Sequence, residues 1–368
     1  MEICSKCILN DHYPGLTFND LGVCSFCRQY ESFTPIGEKH LIRECEKARS
    51  IARKRNSGFD VLVPLSGGKD STFMLYLAVK KYRLSVLAMT YDNGFLSDLA
   101  IRNIKRTVEV ARVKHIYVRP RSELLKTVYR TTFRYTGDIC GACDIGTNTS
   151  ILMTSHTYRI PLIFSGVSPL ENDSFVPDSI QDVSRFKYIM KRSGNLTRKE
   201  INEFLIYPGL NHFTQSWYKR TGYFGRLIFP LFYIENPTDR EMGAIIRREL
   251  DWQDSTASEY TKHFDCVAEP FTNYIRNQIY GYERRICQYS NMVRRGEITR
   301  EKALQMFQGD ELWKRPAGTH EMMEYLGVTE EDLKPILAYK PLQYENHISG
   351  MNRLFALMKQ MKDRFIFI

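Results

Sequence analysis

Phe59-Asp60-Val61-Leu62-Val63-Pro64-Leu65 runs directly into Ser66-Gly67-Gly68-Lys69-Asp70-Ser71, and a pattern with helical spacing follows from Thr72 to Tyr82. An apolar run, a glycine turn and a helix in immediate succession predict a strand–loop–helix unit. The two glycines let the backbone turn sharply and aim successive amides at an anion, and the start of the helix adds its partial positive charge. Such a turn suits phosphate. It is not a Walker A loop, because Lys69 is followed by Asp70 and no glycine stands five residues before Gly68.

The segments after the loop extend this unit into a sheet. Leu84-Ser85-Val86-Leu87-Ala88-Met89 reads as a buried parallel strand that ends in the polar turn Tyr91-Asp92-Asn93-Gly94. Asp98 is expected to cap a helix through Leu99, Ile101, Ile104, Val108 and Ala111. His115-Ile116-Tyr117-Val118 and Ile160-Pro161-Leu162-Ile163-Phe164 read as the third and fourth strands, the latter ending in Ser165-Gly166. Strands alternating with helices predict an α/β fold with a doubly wound parallel sheet, whose ligands bind at the carboxyl ends of the strands. Beyond Leu170 the pattern becomes mostly helical and rich in aromatic residues. Helical spacing covers Thr238 to Leu250, Tyr274 to Gly296 and Thr299 to Phe307, and Pro230 and Pro237 bracket a connection. The organisation expected is a knuckle segment over 1–35, a nucleotide-binding α/β unit over 36–235 and a helical substrate or partner region over 236–368.

Nine cysteines fall into two constellations and some remainders. Cys4-Ser5-Lys6-Cys7 and Cys24-Ser25-Phe26-Cys27 are two CxxC knuckles, a spacing suited to a structural Zn2+ site whose four thiolates leave no open position. Cys140-Gly141-Ala142-Cys143 is a single pair. Two thiolates complete neither a zinc nor an iron site, so either Cys266 adds a third ligand or the pair is a redox dithiol. Cys45 and Cys287 sit in helical patterns and read as buried small hydrophobes. No apolar run approaches the roughly 18 to 20 residues needed to span a bilayer, and the N-terminus lacks a charged-then-apolar signal, which together predict a cytoplasmic protein without membrane contact. The formal charge of +10 suits polyanionic partners such as nucleotides, nucleotide sugars or RNA.

The loop resembles the SGGxDS pyrophosphate loop of the ATP pyrophosphatase (PP-loop) superfamily, with its adenine nucleotide alpha hydrolase-like fold. That resemblance implies cleavage of ATP between the α and β phosphates and transfer of AMP to a substrate oxygen. It assigns Ser66, Gly67, Gly68, Lys69, Asp70 and Ser71 to the nucleotide, with Lys69 on the departing pyrophosphate and Asp70 organising Mg2+; it also places Met89, Asp92 and Gly166 near the adenosine. Tyr91-Asp92-Asn93-Gly94-Phe95-Leu96-Ser97, Leu250-Asp251-Trp252-Gln253-Asp254 and Arg294 through Leu304 further resemble the N-acetyl sugar amidotransferases of surface-polysaccharide biosynthesis. In that family, the resemblance implies, ATP activates the acetamido oxygen of a nucleotide-linked N-acetyl sugar. Ammonia from a separate glutaminase then displaces AMP to leave an acetamidino group. Position 2 is Glu2, so no N-terminal cysteine nucleophile for glutamine hydrolysis is expected in this chain.

Cys140, Cys143 and the distant Cys266 depart from that pattern. They resemble the three-cysteine arrangement of the iron–sulfur tRNA 2-thiolation enzymes of the same superfamily, which also carry N-terminal zinc knuckles and an SGGKDS loop. There the resemblance implies a 4Fe-4S cluster, RNA as a partner and the same adenylation ending in sulfur. Cys140 and Cys143 thus stand beside Lys69 and Asp70 as candidate catalytic residues. Glu171, Trp217, Tyr218, Lys219, Arg220 and Tyr223 are weaker candidates for substrate contact.

Overall fold

The structure is a computed structural model that describes residues 2–13, 15–168, 183–205, 221–235, 237–255, 264–282, 284–309 and 314–338. Five parallel strands form one sheet: β1 (Val61–Pro64), β2 (Val86–Tyr91), β3 (Lys114–Val118), β4 (Leu162–Phe164) and β5 (Arg226–Ile228). Their order is β3-β2-β1-β4-β5. The chain therefore works outward to one side from β1 through β3 and then returns to β1's other side with β4. The crevice where that direction reverses lies between β1 and β4, and it opens at their carboxyl ends.

Strand alternation covers both faces of the sheet, as the near-continuous apolar runs of a parallel sheet require. Val61, Val63, Val86, Ala88, Leu162, Phe164 and Ile228 face one core with the helices Glu38–Lys54, Lys69–Tyr76, Asp98–Ala111 and Asp239–Leu250. Leu62, Leu87, Met89, Tyr91 and Ile163 face the other, where Ile151 and Leu152 of the helix Cys140–Thr157 pack. Cys45 is buried in the first core and Cys287 in a C-terminal one, as their helical settings suggested.

Several boundaries differ from the sequence reading. Ser97, not Asp98, caps the helix Asp98–Ala111: its hydroxyl accepts from the amide of Ala100. The loop helix ends at Tyr76 and runs on as a π-turn over Leu77–Lys81. The span expected as one helix from Tyr274 to Gly296 is two, Glu269–Tyr280 and Arg284–Arg294, because Gly281 adopts φ +72° and stops the first. β5 escaped the sequence reading altogether; it is three residues long, and two of them are exposed.

The N-terminal segment has no core of its own. Cys4, Cys7, Ile8, Leu9 and Tyr13 pack with Tyr282, Ile286, Cys287, Tyr289, Met292, Ile298, Ala303 and Phe307. The helix Asp239–Leu250 and Trp252 belong to the sheet's core, although they lie beyond position 235. The helices Glu269–Tyr280, Thr319–Leu326 and Glu330–Leu337 close over Ser122–Thr136 in a further core. Among the described residues no helix is long and apolar enough to cross a membrane.

Candidate active site

The turn after β1 is held open by its own side chains. Gly67 has φ +84°, and a Cβ there would lie 2.5 Å from the Ala100 carbonyl oxygen, so only glycine fits. The Ser66 and Ser71 hydroxyls lie 3.1 Å apart, and Ser66 Oγ accepts from the Gly68 amide at 3.3 Å. No side chain caps the helix Lys69–Tyr76, which starts at this turn. Among the described residues its first amides are left open to an anion, and its dipole favours one. From the other side of the crevice Gly166 approaches so closely that a Cβ would lie 3.1 Å from the Asp70 carbonyl carbon.

The turn is buttressed from far along the chain. Trp252 Nε1 donates to the Gly67 carbonyl at 2.9 Å, and Asn103 Nδ2 donates to the same oxygen at 3.3 Å and to the Gln253 carbonyl at 2.8 Å. Trp252 is fully buried. Trp252→Phe keeps most of the ring's packing and removes the donor, so it is expected to lower stability by about 0.5–1.5 kcal/mol. Denaturant unfolding checks this; an unchanged midpoint would show that the bond contributes nothing.

Lys69 is 6 % exposed and lies between two carboxylates, 2.7 Å from Asp70 Oδ1 and 2.6 Å from Asp239 Oδ1. Burial works against its charge, but Asp70 and Asp239 outweigh burial and hold the ammonium above the usual lysine pKa. Asp239 was not singled out in the sequence, where it is simply the first residue of a capped helix. Glu297 stands near enough to feel both Asp239 and Lys69; burial raises its carboxyl above the usual range, against the pull of Arg295 at 2.8 Å.

Lys69, Asp70 and Asp239 open on a cavity of about 1240 Å3, lined also by Ser66, Gly68, Ser71, Met89 and Gly166, among others. Pockets for one small ligand run to roughly 300–1,000 Å3, so the space suits two reactants together. Asp92 departs from its expected place. Its carboxylate pairs with Arg119 at 2.8 Å and caps the Gly94 amide, and its neighbour Asn93 stands on the cavity wall instead. The sequence offered no way to tell which of two adjacent polar turn residues faces inward. Tyr91 also lines the cavity, while its buried hydroxyl, set against Gly146, has no hydrogen-bond partner among the described residues.

Cys266 reaches this cavity because its segment docks beside the turn after β2. Leu96 and Cys266 form an antiparallel bridge, the Ser97 amide donates to the Asp265 carbonyl, and the Val267 amide donates to the Phe95 carbonyl. Asp265 is carried along and packs against Gly68. Cys143 accepts from Asn93 Nδ2 at 3.4 Å, and Cys140 begins the helix Cys140–Thr157. The three thiols are close enough to feel one another's charge. Burial is the main cause that holds Cys140 well above the usual thiol range and pushes Cys143 to about 11 and Cys266 to about 12. They are not gathered closely enough to share one ion, whereas Cys4, Cys7, Cys24 and Cys27 are: those four sulfurs lie within 4.8 Å of one another and make a fitting donor set for a metal. Hydrogen bonds from Cys24 and Cys27 draw the Cys7 thiol far down, and Cys24 is pushed up to about 12 despite a hydrogen bond from Cys27, because Cys7 and burial oppose its charge. Four crowded thiols cannot all ionise unless a cation lies between them. Glu171, Trp217, Tyr218, Lys219 and Arg220 lie outside the described residues; Tyr223 stacks on His156 with ring centroids 3.8 Å apart.

With the phosphate turn, the crevice and the docked C-terminal segment in place, comparison with known proteins gives one family. Residues 254–362 match the LPS biosynthesis protein WbpG-like C-terminal domain. The WbpG-like region holds Cys266, Asp265, Glu297 and the Arg294-to-Leu304 stretch, and it bears out the resemblance to surface-polysaccharide proteins there. No curated protein matches the chain. Among solved structures, the U34-tRNA thiolase NcsA from Methanococcus maripaludis with its [4Fe-4S] cluster is similar at 16 % identity and TM-score 0.33, over 86 % of this chain and 92 % of that one. NMN synthetase from Francisella tularensis follows at 11 % identity and TM-score 0.30, over 62 % and 100 %. The glutamine-dependent NAD+ synthetase from Acinetobacter baumannii stands at 16 % and 0.27, over 68 % and 52 %. Likenesses this loose decide nothing about the activity.

Proposed function

We propose that the protein uses ATP to adenylate the acetamido oxygen of a nucleotide-linked N-acetyl sugar and then admits ammonia to give an acetamidino group, releasing pyrophosphate and AMP. The observation that carries this reading is the uncapped glycine turn with buried Lys69, set between β1 and β4 and opening on a cavity with room for two reactants. The WbpG-like match of residues 254–362 supports a sugar substrate of surface-polysaccharide synthesis.

An amide oxygen is a poor leaving group at neutral pH, and adenylation turns it into part of a phosphate ester that departs readily. The acetamido oxygen attacks the α-phosphorus and the bond to the β-phosphate oxygen breaks. Ammonia then adds to the activated carbon, AMP leaves with the former amide oxygen, and the surplus proton passes to solvent. The turn's amides and Lys69 hold the phosphates, and the Ser66 and Ser71 hydroxyls donate to their oxygens. Bound Mg2+ would neutralise phosphate charge at Asp70. Met89 and Gly166 would flank the adenosine, and a separate glutaminase would supply ammonia, in the cytoplasm. Cys4, Cys7, Cys24 and Cys27 would hold structural Zn2+ away from the reacting atoms. The test supplies ATP, Mg2+, a UDP-N-acetyl sugar and ammonium, and follows AMP together with the mass change of oxygen replaced by NH. AMP and modified sugar appearing only together are expected; no sugar-dependent AMP across the common UDP-N-acetyl sugars would overturn the reading.

A second reading is favoured by Cys266 on the cavity wall with Cys140 and Cys143 close behind it. Three thiolates on separate irons of a 4Fe-4S cluster stand further apart than thiolates sharing one ion. The same adenylation would then end in sulfur, on tRNA or on a small carbonyl compound. Anaerobic purification and measurement of iron and acid-labile sulfide separate the two: iron lost in Cys140→Ala favours sulfur transfer, and zinc without iron favours nitrogen transfer.

A further inference from the structure

Asp239 lies 170 positions from Lys69, yet it makes the shorter of the two contacts with the ammonium, 2.6 Å against 2.7 Å for Asp70. It is held there firmly. Asp239 opens the helix Asp239–Leu250, whose capping box joins Thr238 and Glu241 in both directions, and that helix packs in the sheet's core. The Asp239 side chain is 12 % exposed, and among the described residues its one ion pair is with Lys69. Two partly shielded carboxylates thus converge on a single buried cation supplied by the protein itself, leaving an excess of one negative charge.

That arrangement conflicts with what a phosphate turn must do. A triphosphate held by the turn needs the Lys69 ammonium on its own oxygens. Once Lys69 swings away, Asp70 and Asp239 face each other uncompensated, at the edge of a polyanion. A hard divalent cation resolves the conflict, since carboxylate and phosphate oxygens are its preferred ligands. We propose that Asp70 and Asp239 form a divalent-cation seat which the Lys69 ammonium occupies in the free protein and vacates when a nucleoside triphosphate arrives with its metal. The proposal rests on the nucleotide reading of the turn and adds Asp239 and the exchange. Divalent metal and nucleotide then enter together: the free protein holds no divalent ion at this seat, and metal-free nucleotide binds poorly because Lys69 cannot leave its carboxylates.

The experiment measures Mn2+ binding to the full-length protein without nucleotide, by the electron paramagnetic resonance signal of free Mn2+. Lys69→Met, which keeps the side chain's bulk and removes the charge, is expected to gain a Mn2+ site that the unaltered protein lacks. Adding Asp239→Asn should weaken that site by about 10- to 100-fold. No gained site in a folded Lys69→Met protein, or equal affinity in the double variant, overturns the proposal. Should Lys69→Met fail to fold, Asp239→Asn alone decides. Its half-saturating Mg2+ for AMP formation at saturating ATP should rise about 10-fold or more, with kcat recovered at high Mg2+; a lowered kcat indifferent to Mg2+ overturns it. Equilibrium dialysis of ATP with the unaltered protein separately tests the nucleotide reading, so the two can fail independently.

Discussion

Lys69→Ala is expected to lower AMP formation by about 100- to 1000-fold, the usual cost of removing one preorganised charge-stabilising donor from a water-poor site. Lys69 qualifies because it is buried, held above the usual lysine pKa by two carboxylates, and set at the start of the helix that follows the glycine turn. The same substitution strips two carboxylates of their shared counter-ion; with Asp70 32 % and Asp239 12 % exposed, water screens part of the loss, and the cost falls below the about 3–5 kcal/mol of a fully buried pair. The variant should therefore melt earlier as well as turn over slowly. The two losses are separated by assaying well below its melting point and confirming far-UV circular dichroism. Asp70→Ala keeps Asp239 on the ammonium and should lose AMP formation to a similar extent with a smaller stability change. Near-normal AMP production in either folded variant would remove the turn from the chemistry.

The turn was legible because its meaning is local. Strand, glycines and helix follow one another within about 25 residues, and each has its own signal in spacing or composition. Three of the five strands, β1, β2 and β4, were legible for the same reason: they are buried on both faces and read as apolar runs, while β3 is only half-buried and showed through its β-branched and aromatic residues. β5 is short and half-exposed, and its residues carry no alternation to recognise. Asp239 could not have been found by pattern, since its place on Lys69 exists only after the helix Asp239–Leu250 docks on Lys69–Tyr76. Nothing about Thr238-Asp239-Arg240-Glu241 distinguishes a capping box on the surface from one beside a reacting centre. Trp252 is similar: it fell in a stretch that carried the family resemblance, but its bond to the Gly67 carbonyl emerges only from the fold.

The cysteine knuckles show the opposite case, where the site was legible and its setting was not. Spacing identified Cys4, Cys7, Cys24 and Cys27 as one donor set, and the structure gathers them. It also ties them to the far end of the chain. Arg300 Nε donates to the Cys4 and Cys7 carbonyls, both at 3.0 Å, Arg294 Nη1 reaches Cys7 Sγ at 3.6 Å, and the Ile8 amide donates to Ser290 Oγ. With a metal held by these four thiolates, Cys7→Ser, or a chelator that removes the ion, is therefore expected to melt more than the knuckles. Structural zinc sites contribute about 10–16 kcal/mol of apparent binding free energy, comparable to or above the roughly 5–15 kcal/mol by which whole domains are stable. The core shared by residues 4–13 and 282–307 should come apart, and amide hydrogens of Arg284–Arg294 and Arg300–Gly309 should exchange far faster. β1 and β2 should stay protected, since their core draws nothing from the first 35 residues. Unchanged exchange in the two helices after metal loss would show that apolar packing alone holds them. Glu297 lies in the turn between those helices and interacts with Asp239 and Lys69, so their melting should also reach the phosphate site and slow AMP formation, although no cysteine of the knuckles lines the cavity.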